Sequence, residues 1–253
     1  KLNNSILKKI PGFFCVMPLA GDQGAAIGLY RKHVGRIKVR DLLWGKRDLS
    51  LIPENSDIEK FYKDEDLSIA VTGYLLDNDV VEVITGNMEF GPRALCHTST
   101  LSLAYKNNID FINSINGRDT VMPMAPIMLE KNLKYFFDND QCSRVIGSDR
   151  YMIVTYDYKI DKEDIYEGIM HKYPLTNVYS GRPQVITDKN SYVYQVLENL
   201  DDEIGCKAII NHSFNIHGRP IVYNIMDAIN DYSYQKTQMT KLNLKNVVRL
   251  LSL

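Results

Sequence analysis

The feature that most constrains this chain is a glycine-rich turn that follows a short apolar run. Residues 80–84 are rich in Val and Ile, which is typical of a buried strand. In the next stretch, Gly86 and Gly91 permit backbone angles that other residues avoid, and Pro92 fixes φ. Arg93 is therefore presented from a stiff turn, and its planar fork suits a phosphate or a carboxylate. The alternative is a turn whose arginine pairs with a surface acid, and this stretch alone leaves both interpretations open.

A second polar segment follows another apolar run, at residues 208–210. Side chains alternate along a strand, so Asn211, Ser213 and Asn215 are predicted to share one face. Phe214 would then point to the opposite face. The shared face offers one hydroxyl and two amide groups to a single ligand.

Four stretches, taken together and in order, resemble the O-carbamoyltransferases that act on aminoglycoside antibiotics, cephem antibiotics and nodulation factors. These stretches are 21–24, 86–101, 118–129 and 211–222. Two strings in them, Met-Glu-Phe-Gly-Pro-Arg-Ala-Leu and Asn-x-Ser-Phe-Asn-x-x-Gly-x-Pro-Ile-Val, are long and specific. The chain is identified as a divergent member of this family, matching its C-terminal portion.

Strands that alternate with helices predict an α/β or α+β fold. The resemblance implies that residues 48–253 form a twisted-sheet domain like that of threonylcarbamoyl-adenylate synthases. Residues 1–47 would be the C-terminal end of an actin-like domain of the sugar-kinase and Hsp70 type, with its connector, and 47–56 the linker. We expect most of that actin-like domain to lie upstream of this sequence.

The resemblance also implies a two-step reaction. Carbamoyl phosphate and ATP would give carbamoyl-adenylate in the sheet domain, and the carbamoyl group would pass to a hydroxyl of a small molecule or a modified nucleotide. At the first site, the resemblance implies four catalytic residues: Arg93, Arg118, Ser213 and Asn215. The residues that it implies for nucleotide binding are Arg93, Arg182, Asn211, Ser213 and Asn215.

A divalent metal, iron or magnesium, is implied at Asp22. In the family this aspartate joins two histidines of a His-x-x-x-His motif, which is absent from these residues, so the metal would be held largely by the upstream part. From the sequence alone, a helix N-cap is the favoured interpretation of Asp22. His212 and His217 would face opposite sides of a strand, which argues against a metal pair.

Three positions depart from the family by lacking a cation: Thr98, Asn116 and Met122. If the chain is an active enzyme, we expect another basic group to compensate, because phosphate charges need partners in a partly dry pocket. The candidates are His97, Arg219 and the basic run 31–47, which has a solvated charged face as its alternative interpretation. Two alternative functions stay open: a divergent family member that is still an enzyme but has altered donor chemistry, and a noncatalytic binding or assembly module on the same fold.

Composition adds limits on location and partners. The 30 basic and 31 acidic residues argue against a general nucleic-acid footprint, and without a membrane span or signal peptide we expect a cytoplasmic protein. Four scattered cysteines predict reduced thiols. Expected partners are a small hydroxylated acceptor or nucleotide, an upstream actin-like domain or separate chain carrying it, and a second copy in a homodimer; no membrane partner is expected.

Local patterns predict the remaining elements. Strands are predicted at 124–129 and 151–156, helices at 64–76, 109–115, 162–170, 191–200 and from Asn224 to Tyr232, and a packing tail at 241–253.

Overall fold

The computed structural model describes residues 2–35, 41–49, 58–118, 124–159, 164–172, 178–242 and 247–252. The α-helices in these ranges are α1 Leu2–Lys9, α2 Asp22–Val34, α3 Asp64–Leu76, α4 Lys106–Ile115, α5 Leu133–Phe136, α6 Asn139–Arg144, α7 Tyr192–Ile204 and α8 Ile225–Leu242. The strands are β1 Glu59–Phe61, β2 Val80–Thr85, β3 Thr98–Leu103, β4 Ala125–Leu129, β5 Tyr156–Asp157, β6 His171–Lys172, β7 Tyr179–Gly181, β8 Gln184–Ile186, β9 Ile209–Ser213 and β10 Val247–Ser252. Short 3-10 helices lie at Glu130–Asn132, Ser148–Tyr151 and Asp164–Ile169.

Seven strands form one mixed sheet in the order β1-β10-β2-β3-β9-β4-β8. The pairs β1–β10, β10–β2 and β4–β8 are parallel, and the central pairs β2–β3, β3–β9 and β9–β4 are antiparallel. A smaller antiparallel sheet has the order β5-β7-β6. The predicted α/β fold class is confirmed.

Helices cover both faces of the large sheet. Helix α3 packs against α7, β2 and β10, and Val81 and Val83 of β2 join Leu67 and Val71 of α3 in the core. The alternate residues of the same strand face α8: Ile84 clusters with residues of that helix, and Glu82 accepts a hydrogen bond from Gln235 of α8. The strand predicted at 80–84 therefore lies at the centre of a two-sided core.

The N-terminal segment packs on the body that carries the sheet. Leu7 of α1 is fully buried in the main core. Arg144 donates to the carbonyl oxygens of Leu7 and Ile10, and the hydroxyl of Ser148 bonds both the N–H and the carbonyl of Val16. The division into 1–47 and 48–253 stays a prediction, and the predicted linker lies mostly outside the described residues.

The predicted starts of α7 and α8 were confirmed, and in both a side chain caps the N-terminus of the helix. Helix α7 begins after Ser191, whose hydroxyl accepts from the Tyr194 N–H. Before α8, the Asn224 side chain accepts from the Asp227 N–H, and the Asp227 carboxylate accepts from the Asn224 N–H. This reciprocal cap is the one predicted, although the helix continues to Leu242.

Two predictions were wrong, and the helix predicted at 162–170 is a 3-10 helix over Asp164–Ile169 in the described part of that range. The strand at 151–156 is a 3-10 turn and an irregular segment, because Gly147 and Met152 adopt left-handed backbone angles around that turn; only Tyr156 enters a strand. The tail at 241–253 is not merely packing: β10 lies between β1 and β2 in the sheet. A short apolar run cannot by itself distinguish a buried parallel strand from a packing segment.

No helix in the described ranges combines the length and apolar character needed to cross a membrane.

Candidate functional site

A small pocket of about 120 Å³ lies where β9 ends and β4 and β8 begin. The loop between β2 and β3, the glycine-rich turn of the sequence, closes one side of it. Its lining residues are Pro92, Arg93, Ala94, Arg118, Met124, Ala125, Met152, Arg182, Asn211, His212 and Ser213.

Three arginines from three separate segments converge on this pocket. Arg93 comes from the β2–β3 loop, Arg118 follows α4, and Arg182 lies between β7 and β8. Within the described ranges none of them pairs with a carboxylate, and Nε of both Arg118 and Arg182 lacks a hydrogen-bond partner. Burial and then the charge of Arg93 lower the pKa of Arg182 to about 10, and burial lowers the pKa of Arg118. This concentration of unpaired positive charge suits a polyanion.

The loop that presents Arg93 is shaped by glycine and by a buried carboxylate. Gly86 and Gly91 have positive φ, of 50° and 127°, as their place in the turn predicts. The Glu89 carboxylate is 4% exposed and accepts from the N–H groups of Leu95, His97 and Thr98 at 2.7–3.0 Å. Its second oxygen accepts from the Thr98 hydroxyl at 3.0 Å. Glu89 stands in the motif Met-Glu-Phe-Gly-Pro-Arg-Ala-Leu, but no role was predicted for it. The signal for this role was an acidic residue inside a turn whose N–H groups need an acceptor.

The polar residues of β9 hold the pocket wall together. The Asn211 amide donates to the Ala94 carbonyl at 3.0 Å and to Oε1 of Gln184 at 2.7 Å, while its own oxygen has no partner in the described ranges. It therefore ties the Arg93 loop to the start of β8. This leaves a buried acceptor at the pocket.

Ser213 and Asn215 are joined, but only Ser213 lines the pocket. The Ser213 hydroxyl donates to Oδ1 of Asn215 at 2.5 Å. The Asn215 amide donates to the carbonyls of Ile216 and Arg219, so it braces the turn after β9. Asn215 therefore does not line the pocket itself, but its side chain is hydrogen-bonded to Ser213, which does. Phe214 packs in a separate apolar cluster.

A row of buried polar side chains crosses the sheet and ends at the pocket. Strand register places Arg249 opposite Glu82, Glu82 opposite Thr100, and Thr100 opposite His212. All four residues are at most 6% exposed. Arg249 lies 3.2 Å from the Glu82 carboxylate, whereas the Thr100 hydroxyl and both ring nitrogens of His212 lack hydrogen-bond partners in the described part of the chain. The imidazole is consequently neutral: burial, and then the charge of Arg118, lower the pKa of His212 to about 3.

This depressed pKa predicts a pH-dependent loss of stability. Below pH 6.5 the unfolded chain takes up a proton at His212 that the folded protein excludes, so stability falls as the pH falls toward 3. Between pH 6.5 and 4.5, wild type should lose about 2–3 kcal/mol more unfolding free energy than His212→Gln. Urea unfolding at both pH values measures this difference, and parallel pH dependence in the two proteins would contradict it.

The resemblance implied basic residues at positions 116 and 122, where this chain has Asn116 and Met122. Asn116 is fully buried, its side-chain oxygen accepts from Gln235 at 3.0 Å, and it is not among the pocket-lining residues. Met122 lies outside the described residues. Of the expected substitutes, Arg219 is not a free cation, because it pairs with Asp231 at 2.8 Å. His97 has a pKa lowered mainly by burial, and its Nδ1 lies 3.1 Å from the Thr85 carbonyl.

A larger cavity of about 420 Å³ adjoins the pocket and shares Arg93 and Arg182 with it. Its other walls are mainly apolar and include residues 16–21 of the N-terminal segment. Leu19 in this wall has a positive φ of 61°, and its side chain lies against Gly91, where an added Cβ would approach within 2.8 Å. The site therefore has a cationic part and an apolar part, with two arginines between them.

Asp22 is separate from the polar pocket. It is exposed and begins α2, whose N-cap is Gly21, so the side chain is not the cap itself. Among the described residues no group of three His, Cys, Asp or Glu side chains is placed to hold a metal. In the part of the chain that the structure describes, the residues do not form a metal site around Asp22, and that assignment stays a prediction that requires other ligands.

The fold and site define an α/β protein with a cationic pocket at the end of a mixed sheet. Residues 72–249 match the family described as Carbamoyltransferase C-terminus, and the chain belongs to this family. It is 33% identical over 259 residues to the uncharacterized protein MJ1051 of Methanocaldococcus jannaschii, covering 97% of this chain and 48% of the relative. It is 25% identical to nodulation protein NolO of Bradyrhizobium diazoefficiens, covering 86% of this chain and 41% of the relative. The chain thus spans less than half the length of these relatives.

Solved structures give a weaker likeness. P. abyssi Sua5 complexed with L-threonine aligns with a TM-score of 0.47 and 12% identity, covering 77% of this chain and 49% of that chain. Full-length HypF in the phosphate- and nucleotide-bound form aligns with a TM-score of 0.46 and 15% identity, covering 67% and 20%.

Proposed function

We propose that this chain carries the activating half of an ATP-dependent O-carbamoyltransferase, which moves a carbamoyl group from carbamoyl phosphate to a hydroxyl through carbamoyl-adenylate. The family supports carbamoyl transfer in general. The observation that carries the finer proposal is the convergence of Arg93, Arg118 and Arg182 on one pocket, without an acid partner in the described ranges. Positive charge without internal compensation is stable when an anion completes it.

The proposed reaction has two steps. Water first cleaves carbamoyl phosphate to carbamate and inorganic phosphate. A carbamate oxygen then attacks the α-phosphorus of ATP, and the bond between the α-phosphorus and the oxygen that bridges it to the β-phosphorus breaks, which releases pyrophosphate. Negative charge grows on the leaving pyrophosphate. Preorganised arginines would stabilise that charge and hold the reactants in line.

The two cavities suit the two parts of a nucleotide. The phosphates would occupy the three-arginine pocket, where the neutral His212 and the free oxygen of Asn211 add uncharged polar groups. The nucleoside would occupy the adjoining cavity of about 420 Å³, a size within the roughly 300–1,000 Å³ usual for small-molecule sites. Arg93 and Arg182, shared by both cavities, would lie beside the phosphate nearest the nucleoside.

Transfer to the acceptor is proposed to need groups beyond those described. Asp22 alone is too few ligands for a catalytic metal, which normally has about three protein ligands. The acceptor, a small hydroxylated molecule or modified nucleotide, would react at an actin-like domain in the same or another chain. Its hydroxyl oxygen would attack the carbonyl carbon of carbamoyl-adenylate and lose its proton, and the bond from that carbon to the phosphate oxygen would break to release AMP. We expect this chain to form the adenylate without completing the transfer.

Calorimetric titration with pyrophosphate and with ATP tests the site. Arg182→Ala should weaken both about tenfold or more, because a charge-assisted contact to a buried group contributes about 1.5–3 kcal/mol. Lys189→Ala removes an exposed cation outside both cavities and should leave affinity unchanged. Equal weakening by the two variants would mean that binding follows general charge and would overturn the assignment.

A further inference from the structure

Segment 41–49, from the end of the basic run, lies along the loop that carries Arg93. Gly45 and Met88 exchange two backbone hydrogen bonds, at 3.0 and 2.8 Å, and the Phe90 N–H donates to the Leu42 carbonyl at 2.6 Å. The ring of Trp44 stacks on Phe90 with centroids 5.4 Å apart. The segment is thus joined to the loop as an added strand-like layer.

Arg47, near the end of this segment, connects the two ends of the loop. Its Nε donates to the Gly86 carbonyl, one terminal nitrogen donates to the Thr98 hydroxyl, and the other donates to the carbonyls of Thr85 and His97, each at 2.8 Å. The acceptors of Thr85 and Gly86 lie where the loop begins, and those of His97 and Thr98 lie where it ends. A lysine could not reproduce this geometry, because it lacks the planar fork.

The hydrogen bonds continue from Arg47 to the buried acid of the loop. The Thr98 hydroxyl accepts from Arg47 and donates to Glu89, and Glu89 in turn accepts from three N–H groups of the segment after Arg93. The positive and negative groups compensate each other across Thr98. Both ends of the loop and its far side are consequently held by one connected network.

We infer that Arg47 is a positioning residue that acts through Arg93: the Arg47–Thr98–Glu89 network fixes the loop in the conformation that presents Arg93 to the anion. Arg47 is not among the residues that line either cavity, so it does not contact the ligand. Arg47 also places its guanidinium beside Thr98, with one terminal nitrogen 2.8 Å from the Thr98 hydroxyl oxygen. This inference rests on the proposed anion site.

A double-mutant cycle on pyrophosphate affinity tests the inference. Arg47→Ala should weaken binding about fivefold or more in the wild-type background, and Arg47→Ala with Arg93→Ala should bind no more weakly than Arg93→Ala alone, because residues that act through one another are not additive. Arg47→Lys should stay weak. Thr98→Val, which removes the relay with little change in volume, keeps the test available if Arg47→Ala does not fold. Adding Thr98→Arg to Arg47→Ala should restore part of the affinity, because the new guanidinium enters the vacated space.

Arg144→Ala is the matched control. Arg144 also donates to two backbone carbonyls, but lies outside both cavities, so its loss should lower the melting temperature without changing pyrophosphate affinity. Full affinity in Arg93→Ala would contradict the proposed function itself. Weak binding by Arg93→Ala with full affinity in Arg47→Ala or Thr98→Val, or a double variant weakened by the product of the two single effects, would overturn the positioning role.

Discussion

Replacing Arg93 by alanine is expected to weaken pyrophosphate and ATP binding by about 10- to 100-fold, the equivalent of about 1.5–3 kcal/mol for one charge-assisted bidentate contact. Arg93 is exposed and has no side-chain partner in the described part of the chain, so its removal leaves no buried group unpaired. Stability should therefore change little. Isothermal titration calorimetry and a thermal melt on the same preparation separate the two effects.

Arg93→Lys provides the matched comparison for this prediction. Lysine retains the charge but loses the fork, so its affinity should lie between those of wild type and the alanine variant. A melting temperature that falls together with affinity would assign Arg93 a structural role. An unchanged affinity would remove Arg93 from the site and contradict the proposed function.

Replacing Glu89 by alanine is expected to cost about 3–5 kcal/mol of unfolding free energy, because it leaves one partner of a buried charged network without the other. Three N–H groups and the Thr98 hydroxyl lose their acceptor, and Arg47 loses its compensating charge. Urea unfolding measures the loss. Where the variant remains folded, it should also bind pyrophosphate more weakly, because the loop that holds Arg93 is no longer fixed.

Two further variants serve as comparisons for the stability of Glu89→Ala. Glu89→Gln keeps one acceptor oxygen and should be destabilised less than the alanine variant. Glu203→Ala, on the exposed face of α7, should stay within about 0.5 kcal/mol of wild type. Wild-type stability in Glu89→Ala would show that the loop does not depend on the carboxylate.

Local chemistry made the Arg93 turn predictable. A β-branched run, two glycines and a proline are sufficient to predict a strand followed by a stiff loop, and Gly86 and Gly91 have the predicted positive φ. The caps of α7 and α8 were equally local. The sequence could not indicate that Arg47 closes the loop, because its four acceptors lie 38–51 residues away and are brought to it only by tertiary packing.

Sheet register explains why part of the site was not predictable. His212 shares a row with Thr100, Glu82 and Arg249 only because of three successive strand pairings. One of these pairings is made by β10, which was predicted to be part of a packing tail. Asn116 was expected near the phosphates by comparison with the family. The structure instead directs its side chain to Gln235 on the α8 side of the sheet.

Isotope exchange between pyrophosphate and ATP tests whether adenylate forms at the three-arginine pocket. The purified chain is incubated with ATP, magnesium and labelled pyrophosphate, with and without carbamoyl phosphate, and label in ATP is counted. Incorporation of label into ATP should require carbamoyl phosphate and should fall at least about tenfold in Arg93→Ala and Arg182→Ala. Binding of ATP and pyrophosphate by the wild-type chain with no carbamoyl-phosphate-dependent exchange would contradict adenylate formation at this pocket, and would identify the chain as a binding module on this fold.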